Sequence, residues 1–418
     1  MKPTTQVLTA LGSALIVGLA IGASGSAPLL AATDWLVPVG SLWVAGIRMT
    51  VYPLVVSLII TGIAAADEQN MGRLGLRTVL VFVGMLAALA AIVIPLAPLA
   101  FSSLAPSAGA QVLPPGAAEA ARQVADAGVA TSASAWVLSL IPTNPFASAA
   151  SGAMLPLVIF TVIFAIAVAQ LSAERRAPLL GVARTVGDAM LVIVRAIIAL
   201  APIGVFALVT PLAARTGSAF VGAIGLYIVV YSGACVLFSL LLYPVVAVLA
   251  GIPMRRFASA VLPPQLIAFT SRSSIATLPA MIEAVNGPLA LPSRASGFVL
   301  PLAASTFKYA SPVSWAIGAS FIGWFYGVPL HAREMGVIAF AAVFLAFAAP
   351  GVPNGAFLML TPLFVQVGLP AEGIGVLIAL DAIPDRFSTT LNVTGDLAAA
   401  AIVVGRERAP ATPAPNGA

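Results

Sequence analysis

The chain of 418 residues is 61% hydrophobic and only 8% charged, with a mean hydropathy of +1.08, whereas soluble domains carry about 25% charged residues. That leaves too little polar surface to coat a soluble globule, so the composition excludes a water-soluble fold and predicts an all-α integral membrane protein. One cysteine and one histidine exclude a disulfide framework and leave zinc, iron–sulfur and haem chemistry without ligands, so neither a cofactor nor a resident metal is implied.

Apolar runs predict helices near residues 6–32, 36–66, 74–103, 135–171 (bent around Pro142 and Pro145), 181–213 and 218–251. The first, behind Lys2, reads as an uncleaved membrane helix in preference to a signal peptide. Ser102 to Ser134, rich in Ala, Gly, Ser and Pro, reads as a polar surface loop. Two later segments break the apolar pattern. Residues 257–290 hold Pro263, Pro264, the run Thr270-Ser271-Arg272-Ser273-Ser274 and Pro279, and residues 334–368 are interrupted from Pro350 to Gly355. Such breaks expose backbone groups that hydrocarbon cannot satisfy, so they must lie in protein or line a watery cavity. They are predicted as two helical hairpins entering from opposite faces, each followed by a long helix, at 294–327 and 370–405. Inverted repeats of this kind place helix ends at a midplane substrate site. Residues 409–418, rich in Pro and Ala, read as a disordered tail.

Basic residues set the orientation. With Lys2 cytoplasmic, Arg73, Arg77, Arg175, Arg176, Arg184, Arg255, Arg256, Arg294, Arg406 and Arg408 fall on the same side, and only Arg122, Arg215 and Arg333 outside. Both termini are therefore expected in the cytoplasm, in a plasma (inner) membrane. The basic residues form no aromatic-interleaved patch, so nucleic acid is not an expected partner, while the lipid bilayer is.

Arg272, Lys308, Asp381, Asp385, Arg386 and Asp396 sit within or beside apolar helical segments. A charge at a helix centre costs about 2.5 to 3.5 kcal/mol on insertion scales, so several together need pairing or a function. Asp381, Asp385, Ser388, Asn392 and Asp396 follow at spacings of four, three, four and four, which puts them on one helix face as a buried polar stripe.

These residues resemble the dicarboxylate/amino acid:cation symporters, which include the glutamate transporters. The resemblance rests on the serine-rich segment Thr270 to Pro279, the tip Gly351-Val352-Pro353, Asp385 followed by Asn392-Val393-Thr394-Gly395-Asp396, and Ile141-Pro142-Thr143-Asn144-Pro145-Phe146. It implies eight transmembrane helices with two re-entrant hairpins and inverted repeats, no enzymatic activity, and a homotrimer that moves substrate by an elevator motion. The scaffold would be residues 1–72 (helices 1–2) and 135–215 (helices 4–5). The transport domain would be residues 73–134 (helix 3 and the polar loop) and 216–405 (helix 6, hairpin 1, helix 7, hairpin 2 and helix 8), followed by the tail 406–418.

The resemblance also implies site residues. Asp385 would hold a substrate ammonium, Asn392 and the backbone around Ser273 and Ser274 its α-carboxylate, and Gly351, Val352 and Pro353 would close the pocket. Arg272 and Thr389 fall in the same substrate-binding set. Ser388 stands where acidic-substrate members carry an arginine, which removes a bidentate partner for a side-chain carboxylate. Arg386, two residues earlier, points about 200° away around the helix, a poor substitute for that arginine unless the backbone unwinds, and could instead pair with Asp381 or Asp385.

Where the family carries Asn-Met-Asp-Gly-Thr, this chain has Phe307-Lys308-Tyr309-Ala310-Ser311, and Met85-Leu86 replace a Thr-Ser pair. Sodium needs oxygen ligands, and of the implied set only Asn392 and Asp396 persist. Lys308 is expected to take the vacant cation volume and neutralise Asp396. The expected function is a secondary transporter for a small amino acid or organic acid that has lost sodium coupling and is proton-coupled, uncoupled or an exchanger. The alternative is a conventional sodium symporter that rebuilds its sites from Ser305, Thr306 and Ser311. A serine hydrolase on Ser273 or Ser274 and an anion channel are the weaker readings.

Overall fold

The computed structural model describes residues 3–65, 72–102, 141–151, 153–293, 295–348 and 355–405. Most of the predicted polar loop, the tip Gly351-Val352-Pro353, Lys2 and the tail lie outside the described residues. Every regular element among those described is helical. Five of these helices are long and apolar enough to span a bilayer, six if one bent pair counts as a single span.

The first half comprises α1 (Pro3–Ser24), α2 (Val37–Ala65), α3 (Gly72–Leu96), α4 (Met154–Ala169), α5 (Ala173–Ala199) and α6 (Ala201–Thr216). The predicted helix 6–32 is interrupted after Ser24, where Gly25 takes a left-handed φ of 61° that other residues resist, and the chain is helical again over Ala27–Ala32. The single helix expected over 181–213 is two, α5 and α6, bent by 52°. Pro202 at the start of α6 has no N–H to continue the ladder. Gly18 and Gly22, one turn apart on α1, let it lie directly on α6: a Cβ at Gly18 would stand 2.6 Å from the Thr210 carbonyl, and one at Gly22 2.5 Å from that of Ala214.

The second half comprises α7 (Ser218–Leu249), α8 (Met254–Ser271), α9 (Ser274–Asn286), α10 (Leu300–Thr306), α11 (Ser311–Tyr326), α12 (Ala332–Phe344), α13 (Gly355–Gln366), α14 (Glu372–Leu380) and α15 (Pro384–Val404). α8 and α9 pack on each other across the two-residue link Arg272-Ser273. The helix expected over 294–327 is interrupted: a π-helical turn, Ala295–Val299, leads into α10, and Phe307 to Ala310 separate α10 from α11. Likewise the helix expected over 370–405 is α14 and α15, separated by Asp381 to Ile383, with Pro384 opening α15.

Two sets of helices pack chiefly within themselves. In one, α2 contacts α4, α5 and α6, and α1 lies on α6. In the other, α15 is surrounded by α3, α7, α8, α9 and α10, while α11 packs on α3, α7 and α12. The sets meet where α13 and α14 touch α2 and where α14 reaches α6. α15 is 78% buried within the protein, against 17% for the span Thr5–Ser24. The stripe of polar residues on α15 is thus screened from lipid by protein, as a buried charge requires.

Candidate functional site

The link between α8 and α9 brings the first group of side chains together. Arg272 ends α8 in a left-handed conformation, φ 56° and ψ 34°, and its Nε donates to Asp385 Oδ2 at 2.6 Å. Both side chains are largely buried, 11% and 15% exposed, so the pair is only weakly screened. The other carboxylate oxygen, Oδ1, accepts from Ser388 Oγ and Thr389 Oγ1, each at 3.5 Å. Ser273 caps α9, its Oγ accepting from the Ala276 N–H at 3.2 Å, and Ser274 opens that helix, buried. First-turn N–H groups with no intrahelical acceptor are suited to an anion. The structure therefore gathers Arg272, Ser273, Asp385, Ser388 and Thr389 where the link meets α15, with Ser274 the next residue along.

Arg386 does not pair with Asp381 or Asp385. Its Nη1 donates to the Phe269 carbonyl at 3.2 Å, and its guanidinium lies 5.7 Å from the centroid of the Phe269 ring. The turn of the helix places it against α8, away from the stripe.

The second group surrounds the break between α10 and α11. Asn392 Oδ1 accepts from the Ala310 N–H at 2.7 Å, which ties α15 to the interrupted backbone. Lys308 is buried, and its Nζ donates to the Ala304 carbonyl at 2.7 Å. The ammonium thus caps one of the last carbonyls of α10, where the helix dipole favours a cation. Asp396 is fully buried, and neither of its carboxylate oxygens has a hydrogen-bond partner. The Lys308 ammonium makes no hydrogen bond to that carboxylate. The ammonium acts on the carboxylate electrostatically without touching it, because its short contact is with its own helix end.

Aromatic rings fill the space beside Lys308. Phe307 stacks on Phe82 of α3 with centroids 4.3 Å apart and planes 17° off parallel, and Tyr309 lies 5.7 Å from Phe307. Tyr309 also packs onto Gly395, where a Cβ would stand 2.7 Å from the Tyr309 Cβ. The Phe307 ring brings no oxygen ligand for a cation. Ser305 and Thr306 hydroxyls donate to carbonyls of their own helix, Pro301 and Leu302, whereas Ser311 Oγ is buried without a partner.

Gln265 was not singled out by the sequence. Its Nε2 donates to Thr394 Oγ1 at 2.8 Å and to Tyr243 Oη at 3.2 Å, joining α8 to α15 and α7 beside a cavity of about 230 Å³. Its signal was a lone amide within an apolar run. His331 caps α12 in a capping box with Glu334, and Cys235 is buried in the core, both as ordinary structural residues.

A profile of the sodium:dicarboxylate symporter family matches residues 4–406. The chain belongs to that family. It is accordingly a multi-pass membrane transporter and not an enzyme. Within the family it is 29% identical over 402 residues to a proton/sodium-glutamate symport protein of Bacillus subtilis (strain 168), covering 96% of this chain and 91% of the relative. It is 28% identical over 380 residues to a proton/glutamate-aspartate symporter of Escherichia coli (strain K12), covering 88% and 86%. It is also 28% identical to neutral amino acid transporter B(0) of Rattus norvegicus, covering 91% of this chain and 76% of that one. Relatives at 28–29% identity thus carry names that specify different substrates and ions, and the side chains at the site must decide between them.

Proposed function

We propose that this member of the sodium:dicarboxylate symporter family moves a small neutral amino acid across the plasma (inner) membrane without sodium, with Lys308 in place of the cation. The observation that carries the reading is the Lys308 ammonium on the Ala304 carbonyl, at the C-terminal end of a broken helix. In secondary transporters such half-helix ends coordinate sodium. Here a tethered cation takes the carbonyl and supplies its charge to Asp396, while the stacked Phe82 and Phe307 rings occupy neighbouring space. Asp385 would hold the substrate ammonium, with Arg272 shifting off it on binding. The first turn of α9 at Ser273 and Ser274, with Asn392, would hold the α-carboxylate. Thr389 would line the same pocket, and Gly351, Val352 and Pro353 would close it.

Neutral substrate follows from Ser388, whose hydroxyl cannot make the bidentate pair that a second carboxylate needs. Motion would take the elevator form, with residues 73–134 and 216–405 moving against a trimeric scaffold of 1–72 and 135–215. The separate packing of the two helix sets supports this. Both termini would be cytoplasmic.

The test is uptake of labelled L-serine, L-alanine, L-threonine, L-aspartate and L-glutamate into proteoliposomes. The expected result is serine-class uptake in sodium-free buffer, with aspartate and glutamate at least about tenfold poorer, a difference of about 1.4 kcal/mol. The second reading is a sodium symporter built on Asp396 and the unpartnered Ser311 Oγ. Uptake that vanishes when sodium is replaced by choline would establish it.

A further inference from the structure

One buried acid in the site has no role in the reading above. Asp381 lies in the turn between α14 and α15, 3% exposed, and its Oδ1 is sealed from solvent without a hydrogen-bond partner. Its backbone carbonyl accepts from the Asp385 N–H at 2.9 Å, so the two carboxylates stand one helical turn apart. Asp385, at the start of α15, and Arg272, from the α8–α9 link, act on Asp381 through their charges. Tyr227, Tyr231 and Cys235 of α7 lie within electrostatic reach of it. Tyr227 is fully buried and its hydroxyl also lacks a partner, while Tyr231 lies beside Ser388.

Arg272 has one guanidinium for two carboxylates, and its Nε is bonded to Asp385. With both acids ionised the cluster carries one uncompensated negative charge in a protein interior, which is costly without donors. Lys308 does not offset it, since its charge is balanced by Asp396. A proton on Asp381 removes the excess charge and turns an orphaned acceptor into a group that can donate. An arriving amino acid is a zwitterion and adds no net charge, so the protonated, loaded site is neutral.

We propose that Asp381 binds the co-transported proton, one per substrate. The proposal rests on the reading that sodium coupling is lost, and it identifies what replaces it. A proton from water on the loading side bonds an Asp381 carboxylate oxygen as substrate binds, and it leaves to water on the far side with the substrate. No other bond is made or broken. The empty site returns with Asp381 ionised, the slower crossing because it carries that uncompensated charge, and each cycle carries one positive charge inward.

The experiment uses the same labelled panel in sodium-free proteoliposomes with an alkaline interior. Wild-type protein is expected to accumulate its substrate up to about tenfold per pH unit, the limit for one proton. Asp381→Asn is expected to exchange labelled for unlabelled substrate but to equilibrate without accumulating. An exchange-competent Asp381→Asn protein that still accumulates substrate down the proton gradient overturns the proposal. So does wild-type uptake that is sodium-independent but indifferent to the proton gradient, a result that leaves the proposed function standing. Sodium-dependent wild-type uptake instead defeats the Lys308 reading. A pH-dye measurement on unmodified protein in detergent covers the event that Asp381→Asn does not fold: one proton taken up per substrate bound is expected, and none overturns the assignment.

Discussion

At the scale of single residues, Lys308 and Ser388 separate this chain from a conventional reading of its family. Lys308 caps the end of α10 and supplies the charge nearest Asp396. Lys308→Met should leave that carboxylate buried without a counter-charge, costing about 3 kcal/mol. It should also create a new response: sodium is expected to raise the melting temperature of Lys308→Met but not of wild type, as read by thermal unfolding in detergent with sodium or choline chloride. Equal melting temperatures in both salts for the variant would remove the ammonium from the cation role. Ser388→Arg restores a fork beside Asp385 and should shift the uptake preference toward aspartate by at least about tenfold in competition assays. An unchanged order of substrates would place specificity elsewhere.

At the scale of elements, the informative features are breaks. The α8–α9 link was legible because serine and arginine interrupt an apolar run, and hydrocarbon tolerates neither them nor the open backbone there. The polar stripe of α15 was legible from its four- and three-residue spacing. The gap between α10 and α11 was not, because Phe307-Lys308-Tyr309-Ala310 contains neither glycine nor proline. The gap is held from outside, by Asn392 accepting from the Ala310 N–H, and a tertiary bond of that kind leaves no local signature. For the same reason the sequence placed Lys308 beside the vacant cation volume but gave no sign that its side chain folds back along its own helix. Gln265 holds α8 to α15 through Thr394 and to α7 through Tyr243. Gln265→Ala should cost about 1 to 3 kcal/mol, because it strips a bond from Thr394 and Tyr243 together. The check is a lowered unfolding midpoint with the substrate order unchanged. Gly395→Ala sets a methyl against Tyr309 and should destabilise by about 1 to 3 kcal/mol through overpacking, measured in the same way.

At the scale of the whole molecule, the charged site is enclosed by helices that pack mainly on one another, while α1, α2, α4, α5 and α6 form a separate set. That arrangement suits movement of a complete site past a second body, since the site need not be taken apart for its solute to cross. It also makes the charge balance of the enclosed site decisive. On the proposed reading, a charge-balanced Lys308 and Asp396 and a proton-loaded Arg272–Asp385–Asp381 cluster would cross at lower cost than an uncompensated carboxylate. The central claim is therefore that a lysine has replaced sodium, and the most direct measurement is initial uptake of the labelled panel into proteoliposomes with sodium or choline outside. Equal rates of serine-class uptake in both are predicted. Uptake that requires sodium would contradict the account, since it would demand a cation site that Lys308 leaves open.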